Sequence, residues 1–184
     1  MAGGCAAALR DGEIIAGLTG GPAAASLAAL LLWSGAGAQE VMVEWTTLHD
    51  AASVAAFADA VDNVPRVVRA GATAIGEALL ACEALLELAP VAARRRVVDM
   101  VGDGRSNQGL EPGPVRDRLA DAGVTINGLC VLHEEPDLVE SYTREVIGGP
   151  GAFALQCQDY SGFAEAMRQK LAREIATAWG VGVG

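Results

Sequence analysis

A chain of 184 residues with 52% hydrophobic and 20% charged content can fill one sizeable core, which excludes a disordered chain. Thirteen basic residues against twenty-three acidic ones give a net charge of −10. That balance repels phosphate backbones and anionic membranes, so it excludes a nucleic-acid role and favours a cation or a basic partner.

The longest mainly apolar run, Ala23 to Trp33, is about half of the roughly 20 residues a membrane span needs, and it reads as a core element. Cys5, Cys82, Cys130 and Cys157 form no C-x-x-C pair and have no histidine at ligand spacing. They do not read as a zinc site, and Cys82 and Cys130, within apolar segments, read as small buried hydrophobes in preference to a disulfide. Met1 is followed by no basic segment, and Gly3, Gly4 and Asp11 interrupt any secretion-signal core, so the chain as it stands reads as cytoplasmic.

In chain order, residues 5–18 read as one alanine-rich helix with Ala8, Ile15 and Leu18 as core contacts, stopped by Gly20, Gly21 and Pro22. Leu27 to Trp33 and Glu40 to Thr46 form a hairpin around the loop Ser34 to Gln39. In the second strand Val41, Val43 and Trp45 alternate with Glu40, Met42 and Glu44, the period of a half-buried edge strand. Asp50 caps a short helix through Val61, and Asn63, Pro65 and Gly71 mark a loop. Thr73 opens a helix as its N-cap, with Ile75, Ala78, Leu79, Cys82, Leu85 and Leu86 on one face.

The stretch R-R-R-V-V-D-M-V-G-D-G-R-S-N-Q-G at 94–109 organises the rest. Val97, Val98, Met100 and Val101 read as a strand buried on both faces at the centre of a parallel sheet, and Arg94 to Arg96 as its solvent-exposed start. Gly102 and Gly104 let the chain turn and leave Asp103 at the tip, where α/β sheets bind ligands. Pro112 and Pro114 lead into a helix over 115–122, followed by an apolar strand over 124–132. His133 to Glu145 reads as an acidic loop and short helix. After the turn Ile147 to Gly151 come a strand over 153–157, a closing helix over 160–179 with Phe163, Met167, Leu171 and Ile175 on one face, and a flexible tail at 180–184. The alternation implies a single doubly wound α/β domain.

This order, with Gly71-Ala-Thr73-Ala-Ile-Gly76 and the V-D-M-V-G-D-G run, resembles a von Willebrand factor type A domain. It is similar, more narrowly, to a bacterial family of uncharacterised proteins, through A-A-A-L-R-D at 6–11, G-D-G-R-S-N-Q-G at 102–109, T-I-N-G-L at 125–129 and V-I-G-G-P-G-A-F at 146–153. The resemblance implies a mostly parallel sheet with one antiparallel edge strand. It also implies a magnesium-type adhesion site that accepts a protein partner's carboxylate, held by a D-x-S-x-S loop, a threonine loop and an aspartate loop.

The last two loops fall on Thr73 and Asp103, with Gly102, Gly104, Ser106 and Asn107 as recognition-loop residues. The first has no counterpart: no D-x-S-x-S occurs, and Asp159-Tyr-Ser161-Gly-Phe163 lacks the second serine. The first central strand, which the resemblance puts upstream of Ala6, is expected to be absent through a mis-called start. That leaves strand 27–33 with an open edge facing the Val97 strand, unless the two pair. The expected role is a non-enzymatic protein-interaction module with an incomplete metal site, bound to magnesium only where the upstream loop is present and periplasmic in a full-length form.

Other readings stand beside it. Thr73 can be a helix cap alone and Asp103 a turn residue. Met100-Val-Gly-Asp103-Gly is similar to the last motif of haloacid-dehalogenase-type phosphatases, although no D-x-D nucleophile pair occurs. A non-functional fragment is a third reading. Glu134, Glu135 and Asp137 read as a solvated acidic loop, or as a partner or cation contact. His49 and His133 have no nucleophile in context, and Gly20 and Gly21 lack phosphate-loop spacing.

Overall fold

Asp11 divides the alanine-rich segment. Instead of one helix over 5–18 there are two, α1 (Ala2–Leu9) and α2 (Gly12–Thr19). The Asp11 carboxylate accepts from the N–H groups of Glu13 at 2.8 Å and Ile14 at 3.3 Å, so a new helix start replaces continuation of the old one. The computed structural model describes residues 1–20, 24–65, 71–133 and 135–178. The expected tail at 180–184, the stops Gly21 and Pro22, and Glu134 lie outside the described residues.

The chain forms two compact units. The first comprises Met1–Leu30, Val41–Pro65 and Tyr160–Gly184. Its helices are α1, α2, α3 (Ala51–Asp62) and α7 (Phe163–Ala178). Asp50 and Ser53 form a reciprocal capping box at the start of α3, which satisfies donors that helix geometry leaves open. Ala6, Leu9, Leu48, Val54, Phe57, Ala58 and Val61 make its core. Gly4 and Gly17 allow close approach to α7: a Cβ on Gly4 would strike the Phe163 ring, and one on Gly17 would lie 2.6 Å from Ile175 Cγ2. Two glycines in helices of this length oppose helix propensity by about 1 kcal/mol each relative to alanine, and contact with α7 explains their place.

Strands β1 (Ser26–Trp33) and β2 (Gln39–Leu48) pair antiparallel as a two-stranded sheet, as the hairpin reading expects. The alternation in β2 holds only in part. Val43 and Trp45 are half-buried, but Val41 is 39% exposed.

The second unit comprises Leu31–Glu40 and Arg66–Asp159. Its three-stranded parallel sheet has the order β3 (Arg96–Gly102), β4 (Val124–Val131), β5 (Ala154–Cys157). The α/β class is as expected, while the place of the Val97 strand is not. β3 is an edge strand of its sheet, and β4, buried at every residue, is the central one. Val98, Met100 and Gly102 are buried, but Val97 and Val101 on the opposite face are only half-buried, the alternation of a strand whose two faces are unequally covered. The hairpin belongs to a separate sheet, so strand 27–33 does not pair with β3.

Helices α4 (Ile75–Glu87), α5 (Pro112–Asp121) and α6 (Leu138–Glu145) contribute to this unit's core. Ile75, Leu79, Leu119 and Tyr142 join Val98, Met100, Ile126 and Cys130 there, with Trp33 packed against them. The four cysteines are all free thiols.

Candidate functional site

The carboxyl end of β3 carries a rim of four loops, all within the second unit. Gly102 closes the strand because nothing larger fits: a Cβ there would strike the Tyr142 hydroxyl and lie 3.7 Å from Trp33 Cη2. The chain then exposes Asp103 at the loop tip, as the two flanking glycines predict.

Thr73 does not cap α4. The N-cap position is Ala74, and no side chain caps that helix. The segment is held from outside instead. The Thr73 N–H donates to Asn107 Oδ1 at 2.9 Å, the Asn107 N–H donates back to Thr73 O at 2.9 Å, and Ser106 Oγ donates to the same carbonyl at 3.4 Å. The Ala74 N–H donates to Ser34 O at 2.8 Å, and the Ala36 N–H to Gln108 Oε1 at 2.8 Å. The hairpin loop, threonine loop and aspartate loop are therefore tied into one surface by directional bonds between segments more than thirty residues apart in sequence.

Glu77 supports the far side of the aspartate loop, where its Oε1 accepts from the Leu110 N–H at 2.9 Å. Gly109, at φ +78°, passes so close to this carboxylate that a Cβ would collide with it, and its left-handed backbone also favours glycine.

The fourth loop precedes α6. Glu135 Oε1 accepts from the Arg105 N–H at 3.2 Å, Glu135 Oε2 lies 3.0 Å from Arg105 Nε, and Asp137 pairs with the same guanidinium. Gly104 lies between the two chemistries: a Cβ there would stand 3.4 Å from Glu135 Oε1 and 3.7 Å from Thr73 Oγ1. The guanidinium holds the Asp137 carboxyl below its ordinary range, and Asp137 in turn raises Arg105. Beneath the rim, Tyr142 is fully buried and its hydroxyl has no hydrogen-bond partner among the described residues. Burial, followed by the nearby Cys130, Asp103 and Glu135, pushes its pKa up.

Of the residues singled out from sequence, Thr73, Gly104, Ser106 and Asn107 are brought together beside Asp103, and Gly102 lies in the floor. Asn107 binds the threonine loop instead of projecting alone. Sequence reading did not find Arg105, Gln108, Glu77 or Ser34 as parts of the site. It read Glu135 and Asp137 as a solvated loop or cation contact, and the cation they meet is Arg105.

Magnesium asks for a near-octahedral set of oxygens. Thr73, Asp103 and Ser106 carry suitable oxygens, since a hydroxyl that donates to a carbonyl keeps its lone pairs, while Glu135 and Asp137 are engaged by Arg105. Among the described residues, no three His, Cys, Asp or Glu side chains are grouped to hold a metal ion. The D-x-S-x-S loop of a type A metal site has no counterpart in the sequence, so Thr73 and Asp103 make at most part of such a site.

Solved structures similar to this chain include proximal thread matrix protein 1 from the mussel byssus, 21% identical with a TM-score of 0.56. Another is the same protein with a zinc-occupied MIDAS motif, 21% identical with a TM-score of 0.57. Each match covers 80% of this chain and 34% of that one, so this chain spans about a third of the length of the structures it resembles. The likeness carries the fold, of von Willebrand A type. No curated protein matches the chain. A family model described as "Protein of unknown function (DUF1194)" matches residues 2–179.

Proposed function

The chain belongs to the DUF1194 family of proteins of unknown function, and from the geometry of its rim we propose that it is a non-enzymatic protein-interaction module whose recognition face is formed by the loops around Thr73 and Asp103. One observation carries this reading: four loops from separate parts of the second unit are bonded side by side at the sheet's carboxyl end, with Asp103 exposed among them. Loops fixed on a rigid scaffold are where binding residues concentrate. The fold is shared with a byssus matrix protein, which is in keeping with an interaction module. The partner is a protein, and the metal site is incomplete, with Thr73 and Asp103 as its remaining members.

The test compares wild type with Thr73→Ala/Asp103→Asn, both immobilised and exposed to the same cell extract, with circular dichroism as the control for folding. The reading expects a set of proteins held by wild type and lost by the variant. Equal capture by both overturns it, and so does hydrolysis of an aryl phosphate that Asp103→Asn abolishes.

A further inference from the structure

The rim carries a cation of its own. Glu135 uses one oxygen on the Arg105 backbone N–H and the other on Nε, while Asp137 takes another donor of the same guanidinium. An arginine fork between two carboxylates on a neighbouring loop supplies charge and direction together. We propose that Arg105 is the resident cation of this rim, neutralising Glu135 and Asp137 and excluding a divalent ion from the space between Glu135 and Thr73. The inference rests on the reading of this surface as the recognition face and adds what keeps that face ordered.

Three observations converge on it. Glu135 Oε1 and Thr73 Oγ1 both border the same point above Gly104, where an ion would meet a carboxylate and a hydroxyl, but the carboxylate is already committed to arginine. Asp103 and Glu135 both bear electrostatically on the buried Tyr142 hydroxyl, so their negative charges act on one small region. A guanidinium stays protonated in proteins, so the counter-charge persists wherever the carboxylates are ionised.

Calorimetric titration with magnesium chloride at matched ionic strength tests this. Wild type is expected to give no saturable binding in the millimolar range. Arg105→Gln is expected to gain saturable binding at least about tenfold tighter, a factor equivalent to about 1.4 kcal/mol, and Arg105→Gln/Glu135→Gln to lose it again. Arg105→Lys keeps the charge without the fork and is expected to gain less than Arg105→Gln does. The proposal is overturned if wild type binds magnesium as well as Arg105→Gln does, if Arg105→Gln stays folded by circular dichroism and gains nothing, or if Arg105→Lys gains as much as Arg105→Gln. Should Arg105→Gln not fold, Arg105→Ala read by hydrogen exchange at Gly104 with and without magnesium answers the same question: protection by magnesium supports the proposal, and unchanged exchange overturns it. Magnesium binding by wild type would remove the role of Arg105 and leave the interaction reading intact, since capture by the rim is measured separately.

Discussion

Thr73 and Asn107 exchange two 2.9 Å hydrogen bonds, backbone N–H to side-chain Oδ1 in one direction and backbone N–H to backbone carbonyl in the other. This pair couples the segment before α4 to the loop after β3. Replacing Asn107 by alanine removes the acceptor of the Thr73 N–H and should cost about 1 kcal/mol in chemical denaturation, the usual net worth of such a bond. Asn107→Asp keeps the acceptor and should retain most of the stability. Equal losses in both variants would contradict the pairing.

The contact between Gly102 and the Tyr142 hydroxyl predicts an asymmetric pair of effects. Gly102→Ala should destabilise by about 1–3 kcal/mol, because a methyl group is forced into a packed site. Tyr142→Phe removes a buried hydroxyl that has no partner among the described residues and should be neutral or stabilising. In the double variant the cost of Gly102→Ala should shrink, a coupling that a double-mutant cycle on denaturation midpoints reads directly.

Acid should act on α7 in a defined window. Hydrogen bonds from Arg168, followed by those from Gln169, hold the Glu165 carboxyl down to about 2, from an ordinary 4.5. A carboxyl depressed in the folded state contributes stability above its unfolded pKa and loses it as pH falls through the folded one. The contribution is therefore present above about pH 4.5 and disappears toward pH 2. Glu165→Gln should flatten this part of a melting-temperature profile against pH, and an unchanged acid slope would contradict the assignment.

Thiol chemistry should report the second unit's core. Burial pushes both Cys82 and Cys130 up to about 12, so neither is a thiolate near neutral pH. A disulfide reagent should label the fully buried Cys130 slowly in the native chain and rapidly in denaturant, and the half-buried Cys82 faster than Cys130 in the native chain. Fast native labelling of Cys130 would mean that β4 is not buried.

Much of this architecture was legible in the sequence. Glycines flanking Asp103 after an apolar run exposed the carboxylate, and the i, i+3, i+4 spacing from Ile75 found α4. What failed was relational. Val97–Val101, broken by Asp99, and Val124–Val131, broken by Thr125 and Asn127, are both mainly apolar stretches, and only the strand order decides that the second is central and the first an edge. Thr73 has the residue type of a cap, but Asn107, thirty-four positions away, sets its conformation. Arg105 meets Glu135 and Asp137 only because α5 and β4 return the chain to the same end of the sheet. The helix break at Asp11 was readable: an aspartate before a helical run is an N-cap signal, and the alanine-rich composition obscured it.

Amide hydrogen exchange of the chain with and without a captured partner tests the recognition face most directly. The account predicts added protection at Ala36, Thr73, Gly104, Arg105 and Asn107, with exchange in α1, α3 and α7 unchanged. Protection confined to those helices, with the rim exchanging as before, would contradict it.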